Sequence, residues 1–269
     1  MKIKVCCIDE DGRYGGPQSR MIDVYKNLNL NKFNYEFVLP SNVKIFKKKL
    51  KNIDAKFYEI EITRLSSDLF LLLKYIIFLP LEVFILIKFF KEKKYDLIQV
   101  NGVPHFKSAI AAKLSNIPMV WVVEDSYSPE IIVSIFKMIV KFCDAKIIYL
   151  SQKVYNFYLK DTDIKKNNLY KIMSPTNAEY FKRKKIKIKK QLNICSVSGI
   201  IKVKDPETFL NVAKEIISKH ENINFLFVGR GTKSESSYNK KIKNIYDSLD
   251  AKFKKRIIFL GMKLDIKKI

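Results

Sequence analysis

Ile3-Lys-Val-Cys-Cys-Ile8, followed by Asp9-Glu10-Asp11-Gly12-Arg13-Tyr14-Gly15-Gly16-Pro17, is the stretch on which the reading of the whole chain turns. A short apolar run ends in an acidic, glycine-rich segment, and Met21, Val24, Tyr25 and Leu28 then recur at helical spacing. That is strand, loop, helix. The scheme repeats outward, with strands expected near 35–39, 56–60, 96–100, 119–123 and 146–150. Helices are expected near 17–28, 68–93, 105–115, 129–142 and 151–159. Strands that alternate with helices need crossovers, and crossovers give a parallel sheet with helices on both faces. The expected class is α/β.

At Lys182-Arg183-Lys184-Lys185 and Lys187-Ile188-Lys189-Lys190 the composition turns basic and loses any periodic apolar face. A second series follows, with strands at 192–197, 224–228 and 256–260, helices near 206–219 and 235–249, and loops at 198–206 and 229–231. The sequence therefore predicts a first domain over 1–182, a basic linker over 183–191 and a second domain over 192–269. The second is expected to be incomplete, because Leu264-Asp265-Ile266 suggests another helix starting where the sequence stops. The expectation is a shortened form of something longer.

The 269 residues are 48% hydrophobic and 29% charged, which excludes collagen-like, mucin-like and wholly disordered classes. The net charge is +24, and of 51 basic residues only six are Arg (13, 20, 64, 183, 230 and 256). Nucleic-acid readers lean on Arg and on aromatic-plus-basic modules, which this chain lacks, so no nucleic-acid partner is expected. The Lys excess fits a biased amino-acid usage, an anionic membrane surface or an anionic substrate. Four Cys (6, 7, 143, 195) and two His (105, 220) form no disulfide or metal-ligand spacing, so no metal is expected. The first residues run straight into a strand without a signal-peptide segment, and the protein is expected to be cytoplasmic.

Leu69 to Phe90 is the most apolar part of the chain, interrupted by Lys74, Pro80, Glu82 and Lys88. At about 100° per residue the three charges share one stripe of roughly 120°. An amphipathic element is expected rather than a span. Two readings stay open: a helix covering a sheet, and a core helix whose outer face also touches the inner face of the cell membrane.

Gly15 and Gly16 precede the first helix, where backbone N–H groups and the helix N-terminus favour an anion. The pattern is not G-x-G-x-x-G, and no acidic residue follows a second strand, which argues against a dinucleotide site. In the second series, Ser198-Gly199 with Lys202 and Lys204, and Gly229-Arg230-Gly231, fall on one edge of a parallel sheet. Lys204 and Arg230 either neutralise a phosphate there or stand as solvated loop cations.

Val197-Ser-Gly-Ile-Ile-Lys-Val-Lys204-Asp-Pro-Glu-Thr-Phe-Leu210 resembles the V-G-R-x-x-x-x-K-G-x-x-x-x-L block of glycosyltransferase family 4. Asn224-Phe-Leu-Phe-Val-Gly229-Arg-Gly231 and Ile257-Ile-Phe-Leu-Gly261 follow at the spacing of that family. Gly15-Gly16 with Arg20, Tyr95-Asp-Leu-Ile-Gln-Val-Asn101, Ala112–Val120 and Pro175-Thr-Asn177 with Tyr180-Phe181 are similar to its N-terminal half. The resemblance implies a GT-B fold, two Rossmann-like domains facing each other, and transfer of a sugar from a nucleotide-diphosphate donor to a glycan or lipid-linked acceptor. It implies retained anomeric configuration, no cofactor and no metal. By the same resemblance Lys204, Gly15, Gly16, Gly199, Gly229, Arg230 and Gly231 hold the donor and its diphosphate. Arg20, Asn101 and Glu124 lie on the acceptor side, and Asp125 and Lys204 take catalytic roles. The chain departs from the family in three places. Gly199 stands where the block carries Arg, Trp121-Val-Val-Glu124-Asp125-Ser126 stands where a His is usual, and the E-x7-E segment would lie beyond Ile269. The departures lead to two expectations: an impaired transferase, or a binding or partner protein that keeps the fold without its chemistry.

Overall fold

The computed structural model describes residues 2–176, 178–179, 191–231, 236–263 and 265–266. The chain divides into two compact units, Met1–Asn177 and Ala178–Ile269. The expected linker at 183–190, the Tyr180-Phe181 pair and the helix start at Leu264 lie outside the described residues.

In the first unit seven strands are described: β1 (Ile3–Ile8), β2 (Phe33–Pro40), β3 (Phe57–Ile60), β4 (Leu97–Asn101), β5 (Met119–Val123), β6 (Lys146–Tyr149) and β7 (Leu169–Lys171). They form one parallel sheet in the order β3-β2-β1-β4-β5-β6-β7. Helices α1 (Gly16–Lys26), α2 (Lys44–Lys51), α3 (Leu69–Lys93), α4 (Phe106–Leu114) and α5 (Glu130–Cys143) cover it, followed by a short α6 (Gln152–Val154). The pleat sorts β1 between two cores. Val5 and Cys7 pack with Met21, Phe37, Phe46 and Leu50 under α1 and α2. Cys6 and Ile8 pack on the other side with Leu86, Phe90, Ala109, Trp121 and Phe136 under α3, α4 and α5. Burial on both faces explains why β1 reads as a continuous apolar run rather than an alternating one. Each fully buried Ile, Phe or Leu contributes about 1.5–3 kcal/mol.

The sequence reading anticipates six of these strands and misses β7 and α2. Both are short, and Lys44–Lys51 offers only Phe46 and Leu50 to the core against five lysines.

Helix α3 covers the sheet, one of the two readings left open, but its three charges do not share one environment. Lys74 and Lys88 are exposed, and Glu82 is buried on the inner side with Tyr75, Val83, Leu86 and Phe90. The outward side carries Phe70, Leu73, Ile77, Leu81 and Phe84. The helix is long and apolar enough to cross a membrane by length and composition. Yet it is the crossover between β3 and β4, two parallel strands of one sheet, and it packs on that sheet along its inner face. Asp68 starts it by accepting a hydrogen bond from Leu71 N at 3.0 Å. Lys94, in the left-handed conformation, ends it.

The second unit carries β8 (Leu192–Val197), α7 (Pro206–Lys219), β9 (Ile223–Val228), α8 (Ser236–Asp247), α9 (Ala251–Lys254) and β10 (Ile257–Gly261). The three described strands are parallel in the order β10-β9-β8, the arrangement of β3-β2-β1 in the first unit. Pro206 occupies the first turn of α7, and Asp205 caps it through Thr208 N at 3.3 Å and Thr208 Oγ1 at 2.7 Å. Leu210, Ala213, Ile217, Phe225, Ile242 and Ile257 form its core.

Candidate functional site

In the first sheet the chain runs outward in opposite directions from β1 and β4, so their carboxyl ends flank a topological switch point, where α/β sheets bind ligands. Asp9 and Glu10 end β1, Asn101 ends β4 with His105 just beyond, and Glu124 and Asp125 follow β5. Asp9 is buried and accepts hydrogen bonds from Gln18 Nε2 at 2.8 Å, Asp11 N at 3.1 Å and Gly12 N at 3.3 Å. His105 Nε2 lies 3.6 Å from Asp9 Oδ1, and the buried His105 Nδ1 has no hydrogen-bond partner among the described residues. Burial pushes the Asp9 carboxyl above its ordinary range, against the pull of His105 and of the Gln18 hydrogen bond.

Arg20 reaches this edge from α1, its Nη1 3.3 Å from Glu124 Oε1. Burial raises the Glu124 carboxyl, with Arg20 as the main opposing influence. Asp125 is also raised by burial and accepts from Tyr158 Oη at 3.3 Å and Tyr127 N at 3.5 Å. Of the residues expected here, the fold brings Arg20 and Glu124 into contact. Asn101 is used within the sheet: its Nδ2 donates to Ile8 O at 3.1 Å, and its Oδ1 accepts from Gln99 Nε2 at 2.8 Å. The sequence reading passed over Asp9, Gln18 and His105. Their available signal was acidic residues directly after the first strand and a histidine opening the helix after β4.

The glycines of the first loop divide by role. Gly12 has φ +66°, and a Cβ there would sit 2.2 Å from Val43 Cγ2, so the fold itself demands a glycine. Gly15 is extended, and its N–H is taken by Gln18 Oε1 at 2.9 Å. Gly16, the first residue of α1, has open space around its Cα.

A second buried cluster lies beneath this edge. Lys107, fully buried in the first turn of α4, is paired with Glu82 of α3 and donates to the Thr63 carbonyl. Its Nζ is 3.9 Å from Glu10 Oε2 and 4.2 Å from the centre of the Tyr75 ring. Glu10 Oε1 accepts from Ser108 N at 2.8 Å and Ser108 Oγ at 2.7 Å. The cluster ties α3, α4 and β1 together.

In the second unit the loops after β8, β9 and β10 are joined at the carboxyl edge. Ser198 N donates to Val228 O at 3.0 Å, Ile200 N to Arg230 O at 3.1 Å, and Gly229 N to Gly261 O at 3.0 Å. Gly229 has φ +157°, and a Cβ there would sit 1.7 Å from Ser198 O, so this glycine is required by the close approach of the two loops. Gly199 and Gly231 lie in the same group of loops, since Gly231 bridges Ile200. Arg230 and Lys204 are exposed, Lys204 on the single turn Lys202–Lys204. Of the expected donor-side residues, Gly199, Lys204, Gly229, Arg230 and Gly231 lie in the loops of the second unit, whereas Gly15 and Gly16 open α1 in the first. Among the described residues no cluster of three His, Cys, Asp or Glu is arranged to hold a metal ion.

This combination, a seven-stranded parallel sheet and a second parallel sheet in one chain, is the α/β fold of the GT-B glycosyltransferases. Three solved structures give the particulars. HepE from Anabaena, crystallised with UDP and glucose, superposes with a TM-score of 0.76 at 18% identity, covering 99% of this chain and 71% of HepE. A glycosyltransferase from Rickettsia africae gives 0.73 at 16% identity, covering 99% and 70% of the two chains. TarM gives 0.69 at 10% identity, covering 100% and 78%. At these identities the likeness is one of fold. No protein-family model matches the chain, and no curated protein sequence matches it.

Proposed function

We propose that this chain is a glycosyltransferase that moves a sugar from a nucleotide-diphosphate donor to a glycan or lipid-linked acceptor in cell-surface polysaccharide synthesis. The observation that carries the reading is the distribution of charge over the two carboxyl edges. The second sheet offers exposed cations, Lys204 and Arg230, among tightly joined glycine loops. The first offers buried acidic groups around Arg20 and His105. The likeness to HepE, whose crystals contained UDP and glucose, supports the same reading.

In the proposed reaction the bond from the sugar C1 to the diphosphate oxygen breaks while the acceptor oxygen bonds to C1 and its hydroxyl proton passes to the departing diphosphate. The departing diphosphate gains negative charge, and fixed cations and amides that meet this charge stabilise the transition state more than the ground state. Lys204 and Arg230 take that role, with the loops of Gly199, Gly229 and Gly231 on the nucleotide side. Arg20, Asn101 and Glu124 belong to the acceptor side, and Asp125 receives a hydrogen bond from the acceptor hydroxyl. The configuration at C1 is retained and no metal takes part. The chain works in the cytoplasm at the inner face of the cell membrane.

The test is incubation with UDP-, GDP- and ADP-sugars, reading released nucleoside diphosphate and the anomeric proton of the product by NMR. Turnover with a retained anomer supports the reading, and an inverted product removes the stereochemical part. Nucleotide-sugar binding without turnover favours the second reading, a GT-B-like binding protein, to which Gly199 in place of the expected Arg points.

A further inference from the structure

We propose that the outward faces of α3 and α5 form one docking surface for an anionic lipid bilayer, with the helices lying in the plane of the interface. Two stripes carry the argument. On α3, Phe70, Leu73, Ile77, Leu81 and Phe84 fall within roughly 80° of the helix circumference. They are among the most exposed large apolar side chains of the protein, Phe70 at 76%, Ile77 at 69% and Phe84 at 65%. On α5, Ile131, Met138 and Phe142 are also exposed and line up within roughly 40°. Helices α3, α4 and α5 cover the same sheet face in that order, so the two stripes point away from one shared core. Soluble proteins seldom leave apolar surface of this extent uncovered unless something binds it.

Charge identifies the occupant. Lys91 continues the apolar stripe of α3 toward its end beside Lys88, which lies 3.9 Å from Glu92, and the exposed Lys141, 3.2 Å from Asp163, flanks the stripe of α5. The whole chain carries +24. Apolar residues edged by lysines are the pattern of helices that sit at the headgroup boundary of anionic membranes. Protein-binding hot spots instead favour Trp, Tyr and Arg and are poor in Lys, and neither stripe contains any of those three. The rotation of α3 is fixed from below: Glu82, on its inner side, is paired with buried Lys107, which holds the apolar stripe outward. Because β3 and β4 lie in one parallel sheet, α3 rests on the bilayer rather than crossing it.

The test is co-sedimentation of the full chain with vesicles of phosphatidylcholine alone and of phosphatidylcholine with phosphatidylglycerol, without any sugar donor, so it stands apart from the proposed transferase activity. The wild-type chain is expected with the anionic vesicles. Ile77→Gln/Phe84→Gln should lower partitioning by about tenfold or more through lost apolar burial. Lys88→Gln and Lys91→Gln should each lower it about fivefold, the equivalent of ~1 kcal/mol per basic residue. All four positions are exposed, so circular dichroism should remain that of the wild type. A chain that stays in the supernatant, or binding that survives the double substitution, overturns the proposal. So does a homodimer that the double substitution dissociates without vesicle binding, which would make a second copy the occupant.

Discussion

Arg20 Nη1 lies 3.3 Å from Glu124 Oε1, joining the first turns of α1 to the end of β5 across 104 residues, with the side chains only 8% and 10% exposed. Removing one member leaves the other charged and largely out of water. Arg20→Met is expected to cost roughly 3 kcal/mol, and Arg20→Met/Glu124→Leu to recover much of that loss. Urea unfolding of the two single variants and the double variant checks it. Additive losses would show that the pair is not coupled.

Asp9 gives a pH prediction. Its carboxyl is raised by burial above the ordinary 3.8, so the folded chain holds that proton to higher pH than the unfolded chain does. The resulting stability is fully present below 3.8 and is lost as pH rises through the folded value. The stability of wild type minus that of Asp9→Asn should therefore fall as pH is raised from about 4 and then level off. Denaturant unfolding at a series of pH values measures the difference, and a flat line contradicts the assignment.

Lys107 is the counter-charge for two carboxylates, Glu82 and Glu10. Lys107→Met should destabilise the first unit by about 3–5 kcal/mol, because both acids stay buried. Lys107→Met/Glu82→Leu should recover part of it. Urea midpoints decide, and a single variant as stable as wild type would contradict the account of the cluster.

Gly229→Ala places a methyl group against Ser198 O at a backbone conformation that L residues rarely adopt. The expected cost is ~2 kcal/mol or more. It should appear as faster hydrogen exchange at Ser198 N, which is bonded to Val228 O. Gly16→Ala, with nothing within 4 Å of its added methyl, should change stability by less than about 0.5 kcal/mol. Equal behaviour of the two variants would refute the distinction.

The alternation of strands and helices was legible because β1, β4, β5 and β9 are apolar runs ended by Asp, Asn, Glu or Gly. The order of the strands was not, since the pairing of β1 with β4 joins residues more than 90 positions apart and leaves no local mark. That pairing creates the switch point, so Asp9 read as a turn residue and His105 as an ordinary helix start. Gln18 carried no mark of its own in the sequence, since only the fold turns its amide onto Asp9. Arg20 and Glu124 were singled out separately, and only the packed sheet shows them as a pair. On α3 the three charges read as one stripe, yet Lys74 and Lys88 are exposed while Glu82 turns inward. A carboxylate in an apolar helix normally points to water, and here a buried lysine from the next helix receives it.

The central claim is that the chain binds a nucleotide-diphosphate sugar through the cations at the carboxyl edge of its second sheet. Isothermal titration with UDP, GDP and ADP tests it most directly. The account predicts saturable binding of at least one of them, weakened about tenfold or more in Lys204→Ala, the size of effect for a charge-assisted contact to phosphate. No binding of any of the three, or binding indifferent to Lys204, would contradict it.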